Sequence, residues 1–355
     1  MRQHLLEPVG NEPVAGVVRR LGAIPTMDEA AAELAVRTRR QRSRPGEVAR
    51  ALAEGRIIKT YSFRGAVHLM TPEDGGAYLA LRAAGRQWEL RSWQEYYELA
   101  PSDWPGLREA VREALSGGPL TLAELGASVT RKAAYRHLRP VFDDGAGTLI
   151  KPLCWQGDMS FGPPRDGRAT FQRLDDNPRW AGVWDLDEAG PHAIASYFRA
   201  YGPATHDHIH HWLGEGLSAG RKRLQSWVDG LEHRLVAVDV DGEPAYVLGE
   251  DVDELMTTQA TDSLRLLPGH DQWAMGPGTK DVHVVPPARR TPVTRKANLV
   301  VAGGVVTGTW STRGEEVVVT WFSENGKPPR KALEKECSRL ATILGRPLQV
   351  AVEVE

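Results

Sequence analysis

Cysteine is nearly missing from this 355-residue sequence, with Cys154 and Cys337 the only two. They are far apart and form no ligand pattern, so a disulfide framework and a cysteine-built metal site are excluded; idle thiols in a reducing cytoplasm are expected. Long apolar runs are missing too. No window approaches the roughly 18 consecutive apolar residues of a membrane-spanning helix. The N-terminal stretch MRQHLLEPVGNEPVAG has neither an apolar core segment nor a small-residue cleavage site, which points to a cytoplasmic protein without a secretory signal. The glycine-rich stretch VAGGVV (301–306) lacks the spacing and the following helix of a dinucleotide-binding loop. Overall charge imbalance is also missing, at −2, and says nothing about partners.

The local charge is another matter. Between Arg37 and Arg64 stand nine basic residues (Arg37, Arg39, Arg40, Arg42, Arg44, Arg50, Arg56, Lys59 and Arg64) against Glu47 and Glu54, an excess of seven over 28 residues. A charge run can be a solvated face. One this lopsided in a near-neutral protein favours a polyanion, and phosphate contacts of that kind give affinity without sequence information. The 41% hydrophobic and 25% charged content is that of a soluble globular protein. The length implies two to four compact units.

A local pattern recurs along the chain. In residues 45–74 a short helix runs from Pro45 to its end near Gly55, and two strand-like runs follow at about 56–61 and 66–70, joined by a turn at 62–65. Residues 104–129 repeat helix, break and helix, with Thr121 and Glu124 forming a capping box, then a helix near 131–140 and two strands within 148–162 around a Gly-Asp turn. A third copy has a helix at 192–201, a turn, a second helix, another at 218–230, and a hairpin at 234–249 with an Asp-Gly turn. Gly118-Pro119-Leu120-Thr121 and Gly202-Pro203-Ala204-Thr205 mark equivalent turns, each with a threonine that can cap the next helix. The expected fold is therefore α+β: tandem winged helices, three in number, over 1–100, 101–182 and 183–260, and a C-terminal mixed α/β cap over 261–355. In that cap 298–322 is strand-rich and 327–344 reads as an amphipathic helix.

Four stretches carry a resemblance. TYSFRGAVHLMTPED (60–74), RAYGPATHDHIHHWLG (199–214), LRLLPGHDQWAMG (264–276) and VVTGTWSTR (305–313) resemble, in order and spacing, the markers of the AlkZ/YcaQ winged-helix DNA glycosylases, from about residue 17 to 322. The resemblance implies a concave basic channel around double-stranded DNA, removal of bulky alkylated bases and, for members encoded beside antibiotic pathways, self-resistance. That family's catalytic element is Gln-x-Gln or Gln-hydrophobic-Asp, just before the second helix. Here the ungapped match puts Pro25 and Met27 at the two polar positions, and a shift by one residue gives Thr26-Met27-Asp28.

Two readings of residues 25–29 stand side by side. Thr26 with Glu29 makes a capping box, Asp28 and Glu29 complement the helix dipole, and Met27, Ala31, Leu34 and Ala35 make an apolar stripe. Alternatively Asp28 is a catalytic acid at the channel, with Thr26 as the polar member of the triplet, orienting water or stabilising positive charge on the sugar. On the first hairpin the resemblance makes Arg64 a phosphate contact and His68 a lesion-side residue near the sugar; by position alone they are an exposed wing arginine and a half-buried histidine. Arg37, Arg39, Arg40 and Lys59 are the expected phosphate contacts of the basic run. Asp271 is a turn or cap acid or a holder of the channel wall, and Trp310 and Arg313 are packing and surface residues, Arg313 being also a candidate DNA contact. HDHIHH (206–211) places His206 and His210 one turn apart without the third ligand a site needs, so no metal is expected.

The expected function is a monomeric glycosylase-like repair protein that releases a bulky alkylated purine, of N7-guanine or N3-adenine type, from duplex DNA without cofactor or membrane. A non-catalytic protein that sequesters adducted DNA or drug is the second reading, and a transcription regulator the third.

Overall fold

A computed structural model describes residues 1–355. The chain forms two compact units, one of Met1–Arg50, Ser196–Trp212 and Glu232–Glu355, the other of Ala51–Ala195 and Leu213–Leu231.

The second unit contains the first hairpin. Ile58–Tyr61 and Val67–Met70 pair antiparallel, Ile58 opposite Met70 and Tyr61 opposite Val67. The single turn of 3-10 helix between them, Phe63–Gly65, takes Arg64 and Gly65 through positive φ (53° and 70°). Thr71 caps the following helix, Pro72–Ala83, with proline in its first turn where no amide partner is lost. Further on, Trp104–Ala114 is followed by Leu122–Val129, whose capping box is formed as expected: Thr121 N–H donates to Glu124 Oε2 at 2.8 Å and Glu124 N–H to Thr121 Oγ1 at 3.3 Å.

Two expectations shift here. The segment 131–140 is mainly 3-10 helix, Ala133–Leu138, followed by the short helix Arg139–Asp143. The two strands expected within 148–162 are displaced: Lys151–Trp155 is a helix with proline in its first turn, and the hairpin is Met159–Arg165 with Arg168–Arg173. A short apolar run with no clear period suits a buried helix as well as a strand, and Leu153, Cys154 and Trp155 are all buried. Leu120–Thr121 completes a three-stranded sheet by pairing with Arg168–Arg173.

The first unit holds the third copy's hairpin and the C-terminal sheet. Leu235–Val240 and Glu243–Leu248 pair around Asp241-Gly242, both at positive φ. Ala204 bridges to Tyr246 of that hairpin, and Thr205 caps the helix His206–Ile209. The C-terminal sheet has five strands in the order Gln349–Val354, Glu316–Trp321, Val305–Arg313, Asn298–Ala302, Leu264–Leu267; only the Gln349–Val354 pairing is parallel. The helix Arg330–Leu344 buries Leu333, Cys337 and Leu340 against Val317, Val319 and Trp321, and Leu34 of the helix Glu29–Arg37 packs on the same cluster. Both cysteines are free and buried. No helix is long and apolar enough to cross a membrane.

Candidate functional site

The acid Asp28 comes first. The helix Glu29–Arg37 begins two residues later than a Thr26 cap requires: Asp28 is the N-cap, in extended conformation, and its Oδ1 accepts from Ala31 N–H at 3.1 Å. The expected Thr26–Glu29 capping box is thereby corrected. Thr26 is buried at 4% exposure, while Met27, expected in the apolar stripe, is 68% exposed. An aspartate directly before the first helical residue caps as well as a threonine does, and its charge adds attraction to the helix dipole.

The other carboxylate oxygen is held from far away in sequence. Lys296 Nζ donates to Asp28 Oδ2 at 2.8 Å, with both side chains about two-fifths exposed. Lys296 sits at positive φ (72°) beyond the helix Arg290–Thr294. A Cβ at Gly269 would fall 2.3 Å from its carbonyl oxygen, so only glycine lets the 268–271 turn approach so closely. Lys296, then the Ala31 amide, hold the Asp28 carboxyl below the usual carboxylate range. Such a group is charged throughout neutral pH. It is a weak proton acceptor and a good fixed negative charge.

Behind this surface lies Asp271. It caps the short helix Gln272–Met275 through Trp273 N–H at 2.8 Å, as its cap reading anticipated, and it receives Arg39 Nη1 and Nη2 at 2.8 and 2.7 Å. Both side chains are wholly buried. This corrects the expectation for Arg39, because a guanidinium with no exposure is closed to phosphates. Arg37 is also buried, and donates to Ser43 Oγ at 3.2 Å. Arg40 donates to the Glu12 carbonyl at 2.8 Å and pairs with Glu47. In this stretch the exposed cations are instead Arg42, Arg44 and Arg50. Trp310 is packed, its Nε1 donating to the Leu267 carbonyl, and Arg313 is exposed at the end of its strand.

Lys59, Arg64 and His68 belong to the second unit. Lys59 Nζ lies over the Phe161 ring, 5.3 Å from its centroid. Arg64 is one-quarter exposed and stands 3.9 Å from Glu215. His68 is 1% exposed, which corrects the half-buried expectation. Its Nδ1 contacts Ser62 Oγ at 3.1 Å and the Ala66 carbonyl at 3.2 Å, tying the two sides of the turn together. Burial pushes its pKa down to about 3, so the ring is neutral. Two further cations of this unit escaped the sequence reading, Arg82 and Lys151. Each stands alone in its stretch, and only the fold shows them close to the hairpin turn.

The histidine stretch is not a bare exposed face. His206 packs edge-on to Tyr246, and His208 lies 3.7 Å from Asp281. No group of three or more histidine, cysteine or acidic side chains is placed to hold a metal ion.

Comparison with known proteins adds three findings. A family model described as DNA glycosylase AlkZ-like matches residues 18–343. The interstrand DNA cross-link repair glycosylase of Streptomyces sahachiroi is 34% identical over 351 residues, which is 97% of this chain and 94% of that protein. The solved structure of Streptomyces sahachiroi DNA glycosylase AlkZ matches the mixed α+β fold with a TM-score of 0.93 at 33% identity, over 99% of this chain and 97% of that one.

Proposed function

Since the chain belongs to the DNA glycosylase AlkZ-like family, we propose that it binds duplex DNA and hydrolyses the N-glycosidic bond of a bulky purine alkylated at N7 of guanine or N3 of adenine. The observation that carries the reading is Asp28, an accessible carboxylate held ionised by Lys296 at the start of the second helix. A purine alkylated on a ring nitrogen is cationic and leaves with the glycosidic electron pair as a neutral base. Positive charge then grows on the sugar, where a fixed carboxylate lowers the barrier. Water adds at the anomeric carbon and gives its proton to solvent. No cofactor takes part, and the protein acts as a cytoplasmic monomer in self-resistance to a DNA-alkylating metabolite.

Two runs of helix, two-residue strand (Ile24–Pro25, Leu120–Thr121), further helices and hairpin, and a third with the Ala204 bridge in place of the strand, support the reading of tandem winged helices with a basic channel. The phosphate contacts in this reading are Arg42, Arg44, Arg50 and Arg313 in the first unit, and Lys59 and Arg64 in the second. Arg39 and Asp271 keep the second helix in place, and His68 fixes the hairpin turn. Thr26, being buried, leaves the chemistry to Asp28.

Pro25 and Met27 favour a second reading. Neither side chain can hold a water, and an exposed thioether suits contact with an apolar adduct, as in a protein that sequesters adducted DNA. Single-turnover release of an N7-alkylguanine from duplex DNA, followed by alkaline cleavage at abasic sites, separates the two. Release that falls on Asp28→Asn supports the enzyme. Tight binding to adducted DNA with no release supports sequestration.

A further inference from the structure

Two cations in the second unit have no part in the chemistry above. Arg82, on the helix Pro72–Ala83, is more than nine-tenths buried. Its Nη2 donates to Gln87 Oε1 at 3.0 Å, and its guanidinium carbon lies 4.1 Å from the centroid of the Trp155 ring. Its Nε and Nη1 are buried and donate to no protein acceptor, and the same holds for Trp155 Nε1. Lys151, four residues before Trp155 on the same short helix, holds its Nζ 5.2 Å from the Tyr61 ring centroid.

Both cations look onto the hairpin turn at Gly65. A Cβ built there would lie 3.6 Å from Lys151 Nζ and 4.0 Å from Arg82 Nη2. No carboxylate offsets them. Burial alone holds Arg82 down to about 10, and Lys151 is lowered by burial and then by Arg82 itself. The acid on this side, Glu215, lies toward Arg64. Unpaired buried donors and neighbouring like charges both cost stability. An anion beside Gly65 brings negative charge and acceptor oxygens to Lys151 Nζ and Arg82 Nη2, the two cationic atoms that face this open side of the turn, where no side chain projects.

We propose that Arg82, Lys151 and the open face of Gly65 form a seat for one phosphate of the DNA backbone, beside the hairpin formed by Ile58–Tyr61 and Val67–Met70. The ligand class rests on the DNA-binding reading above; the seat itself rests on two cations, neither offset by a carboxylate, that converge on the open face of Gly65. A guanidinium stacked on an indole is pre-oriented for phosphate oxygens, and the ammonium adds a point charge.

The test measures binding of unmodified duplex by the full chain across a salt series, with thermal melting in sulfate against chloride at matched ionic strength. Lys151→Met is expected to weaken duplex binding about tenfold at low salt. It should flatten the log–log salt slope by about 0.9, the worth of one phosphate. Its melting temperature should be no lower than the parent's, and sulfate should stabilise the parent but not the variant; Arg82→Met should act in the same direction on binding. A parent that binds duplex, beside a Lys151→Met protein of unchanged affinity and slope, overturns the seat and leaves the DNA reading standing. The assignment to a DNA phosphate is equally overturned if the variant loses its sulfate response but keeps the parent's duplex affinity and slope. A parent that does not bind duplex but keeps a Lys151-dependent sulfate response supports the anion seat and sinks the DNA reading.

Discussion

Arg39 and Asp271 form a two-pronged ion pair with no solvent exposure on either side, although 232 residues separate them. Asp271 also caps a helix, and Arg39 Nη1 also donates to the Ala35 carbonyl at 2.8 Å at the end of the second helix. Removing one partner strands the other charge in the interior. Arg39→Met or Asp271→Asn should therefore cost about 3–5 kcal/mol, read from denaturant unfolding. A loss below about 1 kcal/mol would mean the pair is not buried in solution.

Asp28 and Lys296 give the opposite expectation, because both are exposed. Asp28→Asn keeps a capping side chain and loses only a surface ion pair, so stability should change by about 1 kcal/mol or less. Base release should fall on the order of 10²-fold, as when a fixed group facing transition-state charge is removed. Equal release by parent and variant would return Asp28 to a purely capping role.

The same pair sets a pH expectation. Lys296 and the Ala31 amide lower the Asp28 carboxyl, so the charge that assists release should persist below the ordinary carboxylate range and vanish only as pH falls through the lowered value. Lys296→Met removes the larger of these influences. The acid limb of the single-turnover profile should then move to higher pH, and a limb that stays put would disconnect Lys296 from the chemistry.

His68 predicts acid sensitivity of the fold. Its folded pKa, about 3, lies below the ordinary value of 6.5. The unfolded chain therefore takes up the proton first as pH falls. The neutral ring's contribution is whole above about pH 6.5 and is lost progressively toward pH 3, at up to about 1.4 kcal/mol per pH unit. The buried His4, also pushed well below its usual value, adds to the same slope. His68→Asn, which can keep a polar atom facing Ser62, should remove about one proton from the uptake on unfolding between about pH 4 and 6. An unchanged slope would contradict the burial.

Chelation should leave base release unchanged, because no cluster of ligating side chains is present. Loss of release on chelation, restored by added metal, would refute this.

Local features were legible in the sequence and distant ones were not. The Thr121–Glu124 box, the Asp241-Gly242 hairpin and the helix near 327–344 depend on neighbours within a few residues, and all formed. Thr26 and Glu29 have the same spacing as Thr121 and Glu124, yet Asp28 took the cap, with its second oxygen held by Lys296, 268 positions away. Arg39 looked like any member of a basic run; nothing within that run names Asp271 as its partner. The run 148–158 misled for another reason: apolar residues buried on every side show neither the helical nor the strand period. His68 was placed on the right strand, but the contacts of Nδ1 that bury it arise from the closed turn.

The division of the chain into two units bears on the order in which the protein is built. By the time Leu231 leaves the ribosome, every residue of the unit containing Arg64, His68, Arg82 and Lys151 has been made. The other unit still lacks Glu232–Glu355, and with it Asp271 and Lys296. Arg39 and Asp28, made among the first forty residues, thus wait through most of translation for their partners. Domains fold as their residues emerge, so an arrested or prematurely stopped chain can present a finished hairpin unit while its acid is still unpaired. On the proposed role of Asp28, release of the damaged base belongs only to chains carried past Lys296, and a nonsense mutation between Leu231 and Lys296 is expected to silence the chemistry as fully as one near the start.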